Sequence, residues 1–130
     1  MNIGLAQAAQ AALTAPGFET EPGFCLRFVR EVYQHHYGRD AWKVPQGLDA
    51  RQAMHWLLAD GEAEPNAGFG EIGSILFYEG PGHGLHGHVA IRIPGNRVAE
   101  NSIVHHPDGR GTRDLRLLGA PAAVWTPAAR

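Results

Sequence analysis

Residues 88–101 read HVAIRIPGNRVAEN, and this stretch decides the class of fold. Two runs rich in branched side chains flank the turn signal Pro-Gly-Asn, which is the pattern of an antiparallel β-hairpin. Similar short runs lie on both sides of the hairpin, separated by Gly- and Pro-rich turns: GSILFYE (73–79), RDLRLL (113–118) and AAVWT (122–126). With HVAIRI (88–93) and RVAENSIV (97–104), they predict an antiparallel sheet of about five strands in the C-terminal part of the chain.

Helices are predicted before this sheet. Alanine-rich composition and apolar residues at helical spacing predict three of them, over residues 3–14, from Pro22 or Gly23 to residue 37, and from an N-cap at Asp49 to residue 60. The segment EAEPNAGFGE (62–71) has the composition of a loop. Helices first and strands after them predict an α+β domain, which we take to be a single domain over residues 1–130.

Composition excludes several classes of function. The chain of 130 residues carries 11 basic and 13 acidic side chains. Without a basic run, no nucleic-acid partner is expected. No apolar stretch is long enough for a membrane span. The start, MNIGLAQAAQAALTAP, lacks Lys and Arg and does not have the pattern of a signal peptide. We therefore expect a protein that stays inside the cell or is delivered by a route that needs no such signal.

Cys25 is the single cysteine, and it lies where the second predicted helix begins. A thiol at a helix N-terminus feels the positive end of the helix dipole, which stabilises the nucleophilic thiolate. A free cysteine is also a common small core residue. The nucleophilic interpretation therefore requires a base and a group that orients the base.

The candidate base is His88. It starts a predicted strand, which is a rigid mount, and the preceding Gly87 allows another element to approach. Two further histidines, His83 and His86, lie in the adjacent glycine-rich loop, where substrate contact or simple solvation is expected. The remaining histidines lie at a helix end (His35, His36), on a helix surface (His55) and in a turn (His105, His106), and are not candidates.

The orienting group is sought in the polar run Glu100-Asn101-Ser102 on the next strand. The register of the hairpin decides which side chain faces His88. A two-residue Gly-Asn turn would place Asn101 there, whereas a three-residue Pro-Gly-Asn turn would place Glu100 there. The turn residues allow either.

These segments, from residue 23 to about residue 118, resemble the papain-like amidases and peptidases that cut bacterial peptidoglycan, the CHAP and NlpC-type families. GFCLRFV resembles the nucleophile helix, IGSILFY the strand leading into the site, and GHVAIRIPGNRVAEN the hairpin that carries the histidine and its partner. The resemblance implies a papain-like fold, with N-terminal helices packed on the sheet. In many NlpC-type enzymes the orienting residue follows the histidine by twelve positions, which favours Glu100 over Asn101.

By the same resemblance, Cys25, His88 and Glu100 (or Asn101) are the catalytic residues. Phe24, beside the nucleophile, joins His83 and His86 as a candidate for substrate binding. No cofactor or metal is implied. Three positions depart from the family pattern: Phe24 replaces a polar residue, Leu26 replaces Ser or Thr, and Ser74 replaces Asp.

The expected function is cysteine-dependent hydrolysis of a peptidoglycan amide bond, in a stem peptide or at the sugar–peptide link, by a monomer acting at the bacterial cell wall. Two alternatives are an inactive wall-binding module of the same fold and a metal-binding protein that uses the imidazoles of HGLHGH (83–88). A transferase, or an amidase acting on an amide outside the wall, is a further possibility within the fold.

Overall fold

The computed structural model describes residues 1–21, 23–102 and 104–129. Within these ranges it contains the helices α1 (Ile3–Ala12), α2 (Cys25–Tyr37), α3 (Ala50–Ala59) and the short α4 (Leu115–Leu118). It also contains the strands β1 (Ala63–Pro65), β2 (Ile75–Tyr78), β3 (His88–Ile93), β4 (Arg97–Asn101), β5 (Arg110–Asp114) and β6 (Ala123–Trp125). The predicted α+β class, with helices preceding an antiparallel sheet, is confirmed.

The sheet has the strand order β1-β6-β2-β3-β4-β5, and every neighbouring pair is antiparallel. Among the described residues it therefore has six strands rather than about five. The extra strand, β1, lies in the segment predicted as a loop. It pairs with β6, through Glu64 opposite Val124, so a partner distant in sequence supplies the ladder that local composition did not predict.

The predicted strand 113–118 is wrong for most of its length. The strand in this region, β5, is Arg110–Asp114 and so begins before the predicted one. The chain then continues into α4 at Leu115. Asp114 caps this helix by accepting a hydrogen bond from the backbone N–H of Arg116 at 2.9 Å. The helical turn buries Leu115 and Leu118 together, which the alternation of a strand would not do.

Helix α2 also begins later than predicted. Its first residue is Cys25, because Gly23 has a φ of 96°, outside the range of a right-handed helix. Pro22, the other predicted start, lies outside the described residues, as does residue 103 of the predicted strand 97–104. The third helix is as predicted at its start, where Asp49 and Gln52 form a reciprocal capping box.

Two apolar clusters enclose the sheet. The larger one packs α1, α2 and α3 against the face that presents side chains such as Ile75, Phe77 and Ile91. The smaller one lies on the other face, where Leu76, Tyr78 and Val98 contact residues of α4. None of the helices in the described ranges has the length and apolar composition needed to cross a bilayer.

Candidate active site

Cys25 is the first residue of α2 and is half-buried. The helix is held in place by Phe28, Val29 and Val32, which are fully buried. The first backbone N–H groups of any helix lack intrahelical acceptors. Here the N-cap is Phe24, and no side chain among the described residues caps this end. The N–H groups beside the thiol therefore stay available to a developing negative charge.

His88 and Glu100 meet across the hairpin of β3 and β4. Ile93 pairs with Arg97, so the turn has three residues, and the register that places Glu100 towards His88 is the one present. The Nε2 atom of His88 lies 2.7 Å from Oε1 of Glu100. Cys25 and His88 line the same cleft, and the interaction of the imidazole with the Cys25 side chain raises the pKa of His88. Since Nε2 is engaged by the carboxylate, Nδ1 is the ring nitrogen left to interact with the thiol.

The predicted close approach at Gly87 is also present. A Cβ atom on this residue would lie 2.8 Å from the backbone oxygen of Tyr78 and 3.1 Å from the backbone nitrogen of Arg51. Only a residue without a side chain lets α3 and β2 come this close to the start of β3. The glycine therefore helps to set where His88 stands.

Electrostatics favour an ionised pair at this site. Burial alone would lower the pKa of His88, but hydrogen bonds and charge interactions with Cys25 and Glu100 raise it to about 9. Burial would raise the pKa of the Glu100 carboxyl, but hydrogen bonds from His88 and Arg113 lower it to about 2. At neutral pH the imidazole is therefore protonated and the carboxyl ionised.

Asn101, the alternative partner, has another set of contacts. Its Nδ2 donates to the backbone oxygens of Glu19 and Glu21 at 3.2 and 3.0 Å, and its Oδ1 accepts from the backbone N–H of Gly23 at 3.2 Å. The side chain thus fastens the segment that leads into α2. The structure brings Glu100 to His88, and it brings Asn101 to the loop before Cys25.

Two residues that sequence reasoning passed over complete the cluster around Glu100. Arg113 on β5 donates to both carboxylate oxygens, at 2.6 and 2.9 Å, and His106 places Nε2 2.9 Å from Oε2. His106, which the sequence analysis set aside as a turn residue, thus contacts the candidate orienting group. Arg113 lies at the start of a predicted strand, which was a signal that it could reach a neighbouring strand. The register of that strand against β4 could not be read from the sequence.

Two clefts meet at Cys25. One, of about 370 Å³, is lined by Phe24, Arg27, Arg30 and Trp42, and the other, of about 270 Å³, by His83, Leu85, His88 and Ser102. The side chain of Phe24 is 41% exposed in the first cleft. His86 lines both clefts. Both clefts reach Cys25, which gives a substrate room on two sides of the thiol.

The three imidazoles of residues 83–88 point to three different partners. His83 contacts the backbone oxygen of Leu118 at 3.0 Å and stacks on Tyr78, and His86 lies 2.8 Å from a carboxylate oxygen of Asp49. His88 contacts Glu100. Among the described residues no group of three His, Cys, Asp or Glu side chains is arranged to hold a metal ion. The donor geometry therefore does not favour the metal-binding alternative.

Comparison with solved structures identifies proteins with a similar architecture. The NlpC/p60 domain of the peptidoglycan hydrolase SagA aligns over 95% of this chain and 97% of its own, with a TM-score of 0.56 and 24% identity. The chain has the NlpC/p60 fold. The resemblance to NlpC-type proteins, drawn from sequence motifs, is thereby confirmed at the level of the fold.

A second solved protein, Ly7917, is also similar. Its structure with the hydrolyzing product of MDP aligns over 98% of this chain with a TM-score of 0.63 and 16% identity, and a further Ly7917 structure has a TM-score of 0.60. This chain spans 63% of the length of Ly7917. No family model matches the sequence, and no curated protein matches it either.

Proposed function

We propose that this protein is a cysteine-dependent peptidoglycan hydrolase that cleaves an amide bond of the bacterial cell wall. The observation that carries the proposal is the chain of contacts from Cys25 through His88 to Glu100 at the junction of two clefts. A thiol, an imidazole and an orienting acceptor are the three parts that thiol-based acyl transfer needs. The NlpC/p60 fold, shared with the SagA hydrolase domain, supports the wall as the source of the substrate.

In this mechanism the Cys25 thiolate attacks the amide carbonyl, and the first N–H groups of α2 stabilise the oxyanion. The protonated Nδ1 of His88 then gives its proton to the leaving amine, so the C–N bond breaks and a thioester remains. The imidazole next takes a proton from water, which attacks the thioester and releases the acid and the thiol. Glu100 keeps the imidazole in the required tautomer throughout.

The proposed substrates are amides within the stem peptide or the N-acetylmuramoyl-L-alanine link. Phe24 and His86 line the first cleft together with Cys25, and they are proposed to contact the substrate. His83 is proposed to act at the rim of the second cleft. The enzyme would act as a monomer at the cell wall, reached by phage, tail or secretion-system delivery or as part of a longer chain.

Replacement of the nucleophile tests this proposal. Cys25→Ala is expected to lower the release of fragments from purified peptidoglycan by about 10⁴-fold or more, because the covalent step is lost. The measurement is mass spectrometry of soluble fragments, which also identifies the bond cleaved. Cys25→Ala should keep the far-UV circular dichroism and unfolding midpoint of the unchanged protein. Arg39→Ala, in the 3₁₀ turn after α2, is the activity control.

Two outcomes would contradict the proposal. Full wall cleavage by Cys25→Ala would remove the thiol from the chemistry. An unchanged protein that binds wall fragments, cleaves none, and is alkylated by iodoacetamide at pH 6 no faster than a free cysteine would instead favour an inactive binding module.

A further inference from the structure

The carboxylate of Glu100 is fully buried, and the contacts to its two oxygens are complete. Oε1 accepts from Nε2 of His88 at 2.7 Å and from Nη2 of Arg113 at 2.9 Å. Oε2 accepts from Nε of Arg113 at 2.6 Å and from Nε2 of His106 at 2.9 Å. An ionised carboxylate has about four lone-pair sites, so two donors on each oxygen saturate it.

Arg113 makes a bidentate contact with the Glu100 carboxylate, and this contact depends on the register between β5 and β4. It lies on β5 opposite Val98, two residues before Glu100 on β4, so it reaches the carboxylate diagonally along one face of the sheet. Its side chain is only 14% exposed, which keeps the ion pair largely away from water. A lysine could supply the charge here but not the planar pair of N–H donors.

His106 reaches the same carboxylate because Gly111 leaves room for it. Gly111 lies directly opposite Glu100 in the β4–β5 ladder. A Cβ atom at Gly111 would lie 2.4 Å from Nδ1 of His106 and 2.6 Å from its Cε1. The φ of Gly111 lies outside the left-handed region, so the backbone does not require glycine there. The absence of a side chain instead leaves space for the His106 ring.

We propose that Arg113 and His106 are positioning residues that keep Glu100 ionised and saturated, so that it can only accept hydrogen bonds and holds His88 with its proton on Nε2 and Nδ1 facing Cys25. The proposal rests on the proposed function and adds two residues to its machinery. Both residues act through Glu100, and neither is proposed to touch the substrate.

The loss of Arg113 has a specific chemical consequence. Burial favours the neutral form of the carboxyl, and Arg113 is the permanent cation bound to it. A protonated Glu100 carries an O–H donor, which can be directed at Nε2 of His88. The imidazole would then carry its proton on Nδ1, and that nitrogen could no longer accept the thiol proton.

Other titratable groups face this cluster and must be followed with it. They come from β2, from the loops on either side of the site and from α2, and they are Tyr78, His83, His105 and Cys25. A pH–rate profile alone would not separate the contributions of these groups from that of Glu100. The test therefore reads the Glu100 carboxyl directly.

The first experiment compares Arg113→Met, Arg113→Lys and the control Arg116→Met, whose parent arginine is ion-paired to Asp114 at the surface. The carboxyl carbon of Glu100 is followed by ¹³C NMR between pH 3 and 9, and the nitrogens of His88 by ¹⁵N NMR. We expect no Glu100 titration above about pH 4 in the unchanged protein and in Arg116→Met. In Arg113→Met a titration should appear above about pH 4.3, the ordinary value for Glu.

Activity should change in a matching way. For Arg113→Met we expect kcat to fall by about 10- to 100-fold at neutral pH with little change in KM, as for other residues that orient a reactive group. A new loss of activity should appear as the pH falls through the Glu100 titration. Arg113→Lys should restore the charge and remove that acid limb, but recover kcat only in part.

The second experiment examines His106 and the space beside Gly111. His106→Gln and Gly111→Ala should each lower kcat. The kcat of the double variant should be no lower than that of the less active single variant, because both substitutions remove the same contact. His55→Gln, at an exposed position on α3, is the control. Additive losses would overturn the role given to Gly111.

Failure of this inference can be told apart from failure of the proposed function. The NMR measurements need no substrate, so they remain decisive if the protein cleaves no wall fragment. An Arg113→Met protein whose Glu100 stays ionised and whose His88 keeps its Nε2 proton would overturn the inference even if the wall is cleaved. If Arg113→Met does not fold, Arg113→Lys decides: full kcat in that variant, which lacks the planar pair of N–H donors, would overturn the positioning role of Arg113.

Discussion

At the scale of single residues, the candidate site depends on opposite pKa shifts in two neighbouring groups. The pKa of His88 is raised to about 9, and that of Glu100 is lowered to about 2. Each shift means that the charged form of the side chain is more stable in the folded protein than in the unfolded chain. The same contacts that orient the imidazole therefore also contribute to the stability of the fold.

The pH dependence of stability follows from the direction of these shifts. The contribution of His88 is fully present below its unfolded pKa of about 6.5 and is lost as the pH rises through about 9. The contribution of Glu100 is present above about 4.5 and is lost as the pH falls towards about 2. We therefore expect the largest contribution from this pair between about pH 4.5 and 6.5.

Urea unfolding of the unchanged protein and of His88→Gln, at intervals from pH 5 to 10, measures this prediction. The difference in unfolding free energy between the two should shrink by a few kcal/mol at most as the pH rises from 6 to 10. An equal pH dependence in both proteins would show that His88 is not charged in the folded state.

At the scale of elements, the end of β4 serves two neighbours at once. Successive side chains of a strand point to opposite faces, so Glu100 and Asn101 cannot both reach His88. Glu100 contacts side chains of β3 and β5. Asn101 instead hydrogen-bonds the segment 19–23 that leads into α2. One strand thus positions both His88 and the start of α2.

Glu100→Gln and Asn101→Ala should therefore fail in different ways. Glu100→Gln introduces an NH₂ donor among four donors and removes the charge, and we expect kcat to fall by about 100-fold or more. Asn101→Ala removes three hydrogen bonds to the loop, and we expect the unfolding free energy to fall by about 1–3 kcal/mol with kcat changed less than about 10-fold. Steady-state kinetics and denaturant unfolding measure both. Loss of activity only in Asn101→Ala would make Asn101 the partner of His88.

Elements were predictable where the pattern is local. The α2 helix and the β3–β4 hairpin carry their periodicity and turn residues within a short window, and both are present. Strand β1 has only three residues, and its ladder comes from β6, sixty residues away in sequence. Helix α4 depends on burying Leu115 and Leu118 against the far face of the sheet. No local pattern reports either condition.

At the scale of the whole molecule, the N-terminus is docked onto the sheet. The backbone N–H of Asn2 donates to the oxygen of Ile72 at 2.8 Å, and its side chain caps α1 by accepting from the N–H of Leu5 at 3.1 Å. Gly73 lies against this residue, since a Cβ atom there would be 2.1 Å from the backbone oxygen of Asn2. This contact fixes α1 relative to the strand that enters the sheet.

Gly73→Ala should therefore destabilise the protein more than a glycine replacement with the same backbone requirement elsewhere. Gly61 is the matched control, because its φ of 79° is close to the 87° of Gly73 but its Cβ would meet open space. We expect Gly61→Ala to cost about 1–2 kcal/mol through backbone strain, and Gly73→Ala to cost about 1–3 kcal/mol more through the clash. Denaturant unfolding measures both, and equal losses would show that the docked N-terminus adds no stability.

The sequence by itself determined the α+β class, the helix that begins near Cys25, and the two possible partners of His88. Each depends on propensity, periodicity or turn chemistry, which act over a few residues. Only the tertiary structure decided between Glu100 and Asn101 and brought Arg113 and His106 to the same carboxylate. Strand register and the approach of separate loops depend on the free energy of the whole packed sheet, and no short window of sequence contains it.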